Sequence, residues 1–369
     1  MKRSSPLYLD YNATAPLKPS VQKFLSQWGG GFGNPSAVHS VGSAIRREIE
    51  ETREFIAQQL GIEARRIIFT SGATESNNII LKGYKGPVII SAVEHSSVSM
   101  VREDAQICSV QQTGLLDLNH IEDLLKKSAS KPLISVIAAH NETGVIQPMQ
   151  DIQTLTRRYG ALLHTDATQA LGRLDFTYGD MDFISFSGHK IGALSGVGVM
   201  VVQPDIPILP LMLGGGQERS YRPGTPNVLG ILSLKPALTD ALQDDWEPIK
   251  ALRNYIDDRI QQICPEIIIF GKGVPRLANT TQLTMPHVPS ATQVMRFDLS
   301  NICLSAGSAC SSGKVKTSPS LTAMGYGQDT ANCALRLSLC PETTQQDVDA
   351  FLAIWQEIYM NCSTKKEML

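Results

Sequence analysis

Between residues 66 and 202, short apolar runs rich in β-branched residues alternate with longer stretches of helical periodicity. The runs Ile67 to Thr70, Val88 to Ile90, Leu133 to Ile137, Ala161 to Thr165, Phe183 to Phe186 and Val197 to Val202 do not alternate apolar with polar. That pattern predicts strands covered on both faces, in a mostly parallel sheet of an α/β protein. Ligands of such sheets gather at the C-terminal ends of the strands. Upstream, Ile45, Ile49, Ile56 and Leu60 share one face of a predicted amphipathic helix. After residue 240 the pattern predicts a helix, strands at Ile267 to Phe270 and Thr280 to Met285, another helix, and a strand at Leu335 to Leu339. A last helix carries Val348, Phe351, Leu352, Trp355 and Ile358. The expected organisation is a large α/β domain over residues 15–250 and a smaller α+β domain from 1–14 and 251–369. A pivot is expected in the Pro/Gly-rich stretch from Pro204 to Pro226.

Composition removes several classes. The 369 residues hold 33 Lys and Arg against 35 Asp and Glu, a formal charge of -2, which fits neither a disordered acidic chain nor a nucleic-acid binder. Seven cysteines, with no C-x-x-C pair, argue against a disulfide framework or a zinc ribbon. A reduced compartment, at least one free thiol and no metal centre are expected. The N-terminal segment begins basic but has no secretory apolar stretch, and no run nears the ~18 residues of a membrane span. A soluble cytoplasmic protein without a membrane partner is expected.

Three segments could carry chemistry. Lys190, in Ser185-Phe186-Ser187-Gly188-His189-Lys190, directly follows a predicted strand. There desolvation can prepare an amine for condensation with an aldehyde; alone, such a lysine is ordinarily a solvated surface charge. Asp166 ends another predicted strand and suits either a pyridinium nitrogen or a helix N-cap. Ser71-Gly72-Ala73-Thr74-Glu75-Ser76-Asn77-Asn78 follows a strand and opens a helix, whose first N–H groups can receive a phosphate. Together they describe a pyridine aldehyde bearing a phosphate.

This set, with Asp166-Ala167-Thr168-Gln169, resembles the class V aminotransferase group of fold-type I pyridoxal 5'-phosphate (PLP) enzymes. The resemblance narrows to the cysteine desulfurases through Tyr8 to Thr14, Gly33 to His39, Glu94 to Val98, Asn141 to Gly144, Gly214 to Arg219, Arg222 to Thr225 and Ser308-Ala309-Cys310. It implies that Lys190 bonds the cofactor aldehyde, that Asp166 partners the ring nitrogen, and that Gln169 bonds the phenolic oxygen. His95 would stack on the ring and serve in proton transfer. Ala73, Thr74, Ser187, Gly188 and His189 would hold the cofactor around its phosphate, with Thr225 reaching the phosphate of a neighbouring subunit in a homodimer. Asn141 and Arg336 would bind the substrate carboxylate, for which a guanidinium fork is suited. Read without the resemblance, His95 is more ordinarily a satisfied buried histidine, and Arg336 needs a partner that a structural Asp supplies equally well.

Cys310 lies in a small, polar, Gly-containing segment where exposure is expected. Cys108, Cys264, Cys303, Cys333 and Cys340 lie where burial is expected. The resemblance implies that L-cysteine yields L-alanine, that Lys190 or His95 moves the α-proton, and that Cys310 takes the sulfur as a persulfide. The sulfur would pass to an acceptor protein such as an iron–sulfur scaffold. Lys314 and Lys316 are candidates to favour the thiolate, or are plain surface charges. Three departures from the family pattern stand out: Ile191 to Gly196 replaces a Gly-Pro-Lys-Gly segment, Ala15 replaces a threonine, and the sequence stops at Leu369 without a scaffold-docking tail. The alternatives are a selenocysteine lyase or another aminotransferase-type enzyme of this fold, and a non-enzymatic sulfur-relay or scaffold-binding protein.

Overall fold

The computed structural model describes residues 6–29, 31–175, 177–307 and 317–363. Cys310, Lys314 and Lys316 lie outside the described residues.

The strands form a seven-stranded sheet in the order Ile67–Thr70, Gly198–Val201, Phe183–Ser187, Leu162–Asp166, Leu133–Ile137, Val88–Ser91, Gln106–Cys108. All run parallel except Gly198–Val201, which is antiparallel to both neighbours. Successive side chains point to opposite faces, so the continuous apolar runs feed two cores. Phe69, Ile134, Val136, Leu163, Ile184 and Phe186 pack with Ile45, Ile49, Ile56 and Leu60 of the helix Ser40–Leu60. Ile68, Ile90, Leu133, Leu162, Phe183 and Met200 pack with Ile79, Ile80 and Leu81 of the helix Ala73–Gly83.

A three-stranded antiparallel sheet, ordered Ser305–Ala306, Ala334–Ser338, Thr280–Thr284, and the parallel pair Leu7–Tyr8 with Ile302–Cys303 lie apart from it. They pack on the helices Glu247–Ile263, Ser290–Leu299 and Gln345–Ser363 through a third core, which contains Ile256, Leu283, Phe297, Leu337, Phe351 and Trp355. Among the described residues no helix is long and apolar enough to cross a membrane.

Three expectations are corrected. Ile267 to Phe270 is no strand: it contributes one isolated bridge, Ile269 to Leu283, because a turn starts at Ile269 and Gly271 takes φ 72°. Gln106–Cys108 is an edge strand that the pattern missed, with Ile107 61% exposed. Pro204 to Pro226 is not a pivot, since it stays against the large sheet. There Glu218 pairs with buried Arg53 at 2.9 Å and accepts the Phe69 N–H at 2.7 Å, and the helix Val228–Ala241 that follows joins the first core.

Candidate active site

The parallel strands deliver polar residues to one edge of the large sheet. Asp166 and Ser187 end their strands; Ala73, His95, Asn141 and His189 lie a few residues beyond theirs. Arg336 arrives from the middle of Ala334–Ser338 in the smaller sheet. These residues, with Thr74, Gln169 and Lys190, line one cavity of about 350 Å³. Ten of the residues chosen from sequence therefore meet. Gly188 does not line it: its N–H donates to the Val197 carbonyl, and a Cβ there would lie 2.9 Å from Leu234 and Val197. Its glycine serves close packing. Thr225 is exposed and outside the cavity wall. No residue from Ile191 to Gly196 lines the cavity. Gly192, at φ 80°, instead packs its backbone against Pro16 and Lys18, so this departure from the family pattern leaves the wall intact.

Lys190 Nζ donates to the carbonyl oxygens of Asn12 and Ala13 at 2.6 and 2.8 Å. Asp166 is 3% exposed; Oδ2 accepts from Asn77 Nδ2 at 2.9 Å and Oδ1 from the Thr168 N–H at 3.0 Å. The second bond is cap-like, but turns rather than a helix follow, so the helix N-cap reading fails. Asn77 also donates to Ser97 Oγ at 2.9 Å, and Ser97 Oγ lies 2.8 Å from His95 Nδ1. His95 Nδ1 accepts the Ser97 N–H at 3.1 Å, which places the proton of the neutral ring on Nε2. The Gln169 amide donates to the Asn12 carbonyl at 3.1 Å while its oxygen accepts from Arg173 at 2.7 Å. Ala73 N–H donates to Ser187 Oγ at 2.7 Å, which joins the two segments expected at the phosphate. Burial, with the Lys190 charge, lowers the His189 pKa to about 4.

Arg336 has the structural partner that its strand position called for: it donates to Asp10 at 2.7 Å and to the Asn141 carbonyl at 3.1 Å. Its Nε, like Thr168 Oγ1, is buried with no hydrogen-bond partner among the described residues. Buried polar atoms are normally satisfied, so both atoms suit an acceptor-bearing ligand. Sequence reasoning missed Asn12, Asn77, Ser97 and Arg173. Each lies in or beside a quoted motif, but only the fold shows what it touches.

Behind His95, Glu94 accepts from the Ile137 N–H at 2.7 Å and from Ser91 Oγ at 2.8 Å. Burial, with the Asp166 charge adding, raises its pKa from 4.5 to about 8. Between those values the unfolded chain has lost this proton while the folded chain keeps it. The stabilisation is thus full below pH 4.5 and is lost as pH rises towards 8. His140, His164 and His189, which burial lowers to about 3, 4 and 4, titrate in the unfolded chain near 6.5; above pH 7 they add only a small, fading slope of opposite sign, shared by parent and variant. Melting temperature is expected to fall from pH 7 to 8 in the parent and to fall less in Glu94→Gln. Equal slopes in calorimetry contradict this.

Comparison with known proteins agrees with the geometry. The family model described as Aminotransferase class-V matches residues 7–351. A protein named cysteine desulfurase IscS from Dictyoglomus turgidum is 33% identical, over 97% of this chain and 95% of its own. The NifS-like protein from Rickettsia africae has a similar solved structure, at TM-score 0.89 and 37% identity over 96% of this chain and 99% of its own. A structure titled SspA in complex with cysteine superposes at TM-score 0.78 and 29% identity over 92% of this chain and 100% of its own. The chain belongs to the PLP-dependent class V aminotransferase family and, within it, to the cysteine desulfurases.

Proposed function

We propose that this enzyme converts L-cysteine to L-alanine and takes the sulfur onto Cys310 as a persulfide. The observation that carries the reading is the single cavity in which Lys190, Asp166, His95 and Arg336 meet. Its donor set fits PLP. Lys190 can bond the aldehyde, Asp166 can face the ring nitrogen, Gln169 the phenolic oxygen, and Ala73, Thr74, Ser187 and His189 the phosphate. When bound, the cofactor supplies an electron sink for the substrate's α-carbon.

The remaining work falls to the chain. Asn77 and the Thr168 N–H hold Asp166 in place. Asp10 holds one edge of the Arg336 guanidinium, leaving Nε for the substrate carboxylate. Lys190 Nζ is the group that can take up the α-proton, and the His95 Nε2–H is placed to give one back. The Cys310 thiolate attacks the substrate sulfur. An S–S bond forms, the C–S bond breaks with its electron pair passing to carbon, and a proton follows to give alanine.

Thr225, exposed beyond the cavity, suits a neighbouring subunit's phosphate. Exposed Leu209, Met212 and Leu213 suit the same homodimer, because apolar side chains of this size favour burial. We assign residues 15–250 to the PLP-binding domain and 1–14 with 251–369 to the domain of the cysteine segment, in a cytoplasmic enzyme. The sulfur acceptor is a protein such as an iron–sulfur scaffold. With L-cysteine and a thiol reductant, alanine and sulfide are expected in equal amounts. Formation of another amino acid only when a keto acid is supplied contradicts the reading, and exclusive turnover of selenocysteine shows the lyase alternative.

A further inference from the structure

Glu142 follows Asn141 in the turn beyond Leu133–Ile137, so one turn supplies both the cavity wall and a buried carboxyl outside it. Its Oε2 accepts from Ser318 Oγ at 2.7 Å and from Gln282 Nε2 at 3.3 Å. A Cβ on Gly307 would overlap Gln282 Nε2 and lie 3.0 Å from the same Glu142 oxygen. Gly307 and Ser318 flank the stretch that contains Cys310, so its exit is hydrogen-bonded to this carboxyl and its entry runs close beside it. The surroundings repeat the arrangement. Ser305 donates to Asp10 at 2.7 Å, Asp10 pairs with Arg336, and Arg336 stands in register between Ser305 and Gln282. From the same turn as Glu142, His140 Nε2 lies 3.0 Å from Ser320 Oγ.

We propose that Glu142 is a positioning residue for sulfur transfer, holding the exit of the Cys310 segment against the turn that presents Asn141 to the cavity. The inference rests on the reading of Cys310 as the sulfur carrier. Burial raises the Glu142 pKa, with Ser318 and Arg336 opposing. Glutamine, which keeps the accepting oxygen, is therefore the conservative replacement.

The test compares the PLP-loaded enzyme with Glu142→Ala, Glu142→Gln and Ser318→Ala. In Glu142→Ala, kcat for alanine is expected to fall ~10-fold or more with KM for L-cysteine unchanged, as displacement of a reacting group demands. Glu142→Gln should recover most of the loss, and Ser318→Ala should fall in the same direction. The second readout is the rate at which iodoacetamide alkylates Cys310 in protein without added PLP. It should differ several-fold between Glu142→Ala and the parent. An unchanged kcat and alkylation rate, a KM that rises in proportion to the loss, or an equal loss in the glutamine variant overturns the proposal. If Glu142→Ala does not fold, Ser318→Ala decides by the same criteria. Full activity of Cys310→Ala instead overturns the reading beneath it, so the two failures are distinct.

Discussion

Lys190→Ala is expected to lose cysteine turnover by ~10³-fold or more, since the substitution removes both a covalent anchor and a proton carrier. It is also expected to abolish the visible absorption of the purified protein when no PLP is added. Among the described residues Lys190 is the only lysine in the cavity wall, and its amine is aimed by the Asn12 and Ala13 carbonyls. Lys18, the nearest lysine in sequence to Asn12 and Ala13, is committed to Asp244 at 2.6 Å and cannot substitute. The absorption spectrum and alanine assay of the variant check the result. Retained color with retained turnover contradicts the role, and partial recovery with added methylamine supports it.

Cys310→Ala is expected to keep the parent's absorption and its spectral response to L-cysteine. Alanine formation should fall by ~10²-fold or more, because loss of a nucleophile leaves binding intact but removes the bond-breaking step. Of the six other cysteines, Cys362 packs against the third core from the last helix, and the remaining five are poorly suited to replace it. Burial raises the thiol pKa of Cys108 and Cys340 to about 12 and raises those of Cys264, Cys303 and Cys333 as well. A thiol held in that state supplies little of the reactive thiolate. Cys303 and Cys333 are also only half-buried, less than their apolar neighbours in sequence suggested. Stopped-flow absorption and alanine quantification separate the expected result from simple loss of cofactor.

The large sheet was legible because each of its central strands is buried on both faces, which leaves a run without regular polar alternation, such as Val197 to Val202. Gln106–Cys108 was not, because an edge strand with Gln106 and Ile107 in solvent lacks that signal. Ile267 to Phe270 has the composition of a strand but only one bridging residue, a distinction set by pairing rather than by composition. In the site, residues at strand ends carried their own local signal: Asp166, Ser187 and Lys190 follow apolar runs. The groups that hold them did not. Asn12 acts on Lys190 through its backbone carbonyl, 178 positions away, and a carbonyl leaves no trace in residue type. Asn77 reaches Asp166 from 89 positions away, and Glu142 reaches Ser318 from 176. Polar residues in such pairings read as ordinary helix or turn positions until the fold brings them together.

The central claim is that the cavity delivers substrate sulfur to Cys310, and the most direct measurement is mass spectrometry after a single turnover. The PLP-loaded enzyme is mixed with one equivalent of L-cysteine without reductant, quenched, alkylated and digested. The prediction is a peptide containing Cys310 heavier by one sulfur atom, with one alanine released for each chain so modified. Alanine released with Cys310 unmodified, or the added sulfur on a different cysteine, would contradict it.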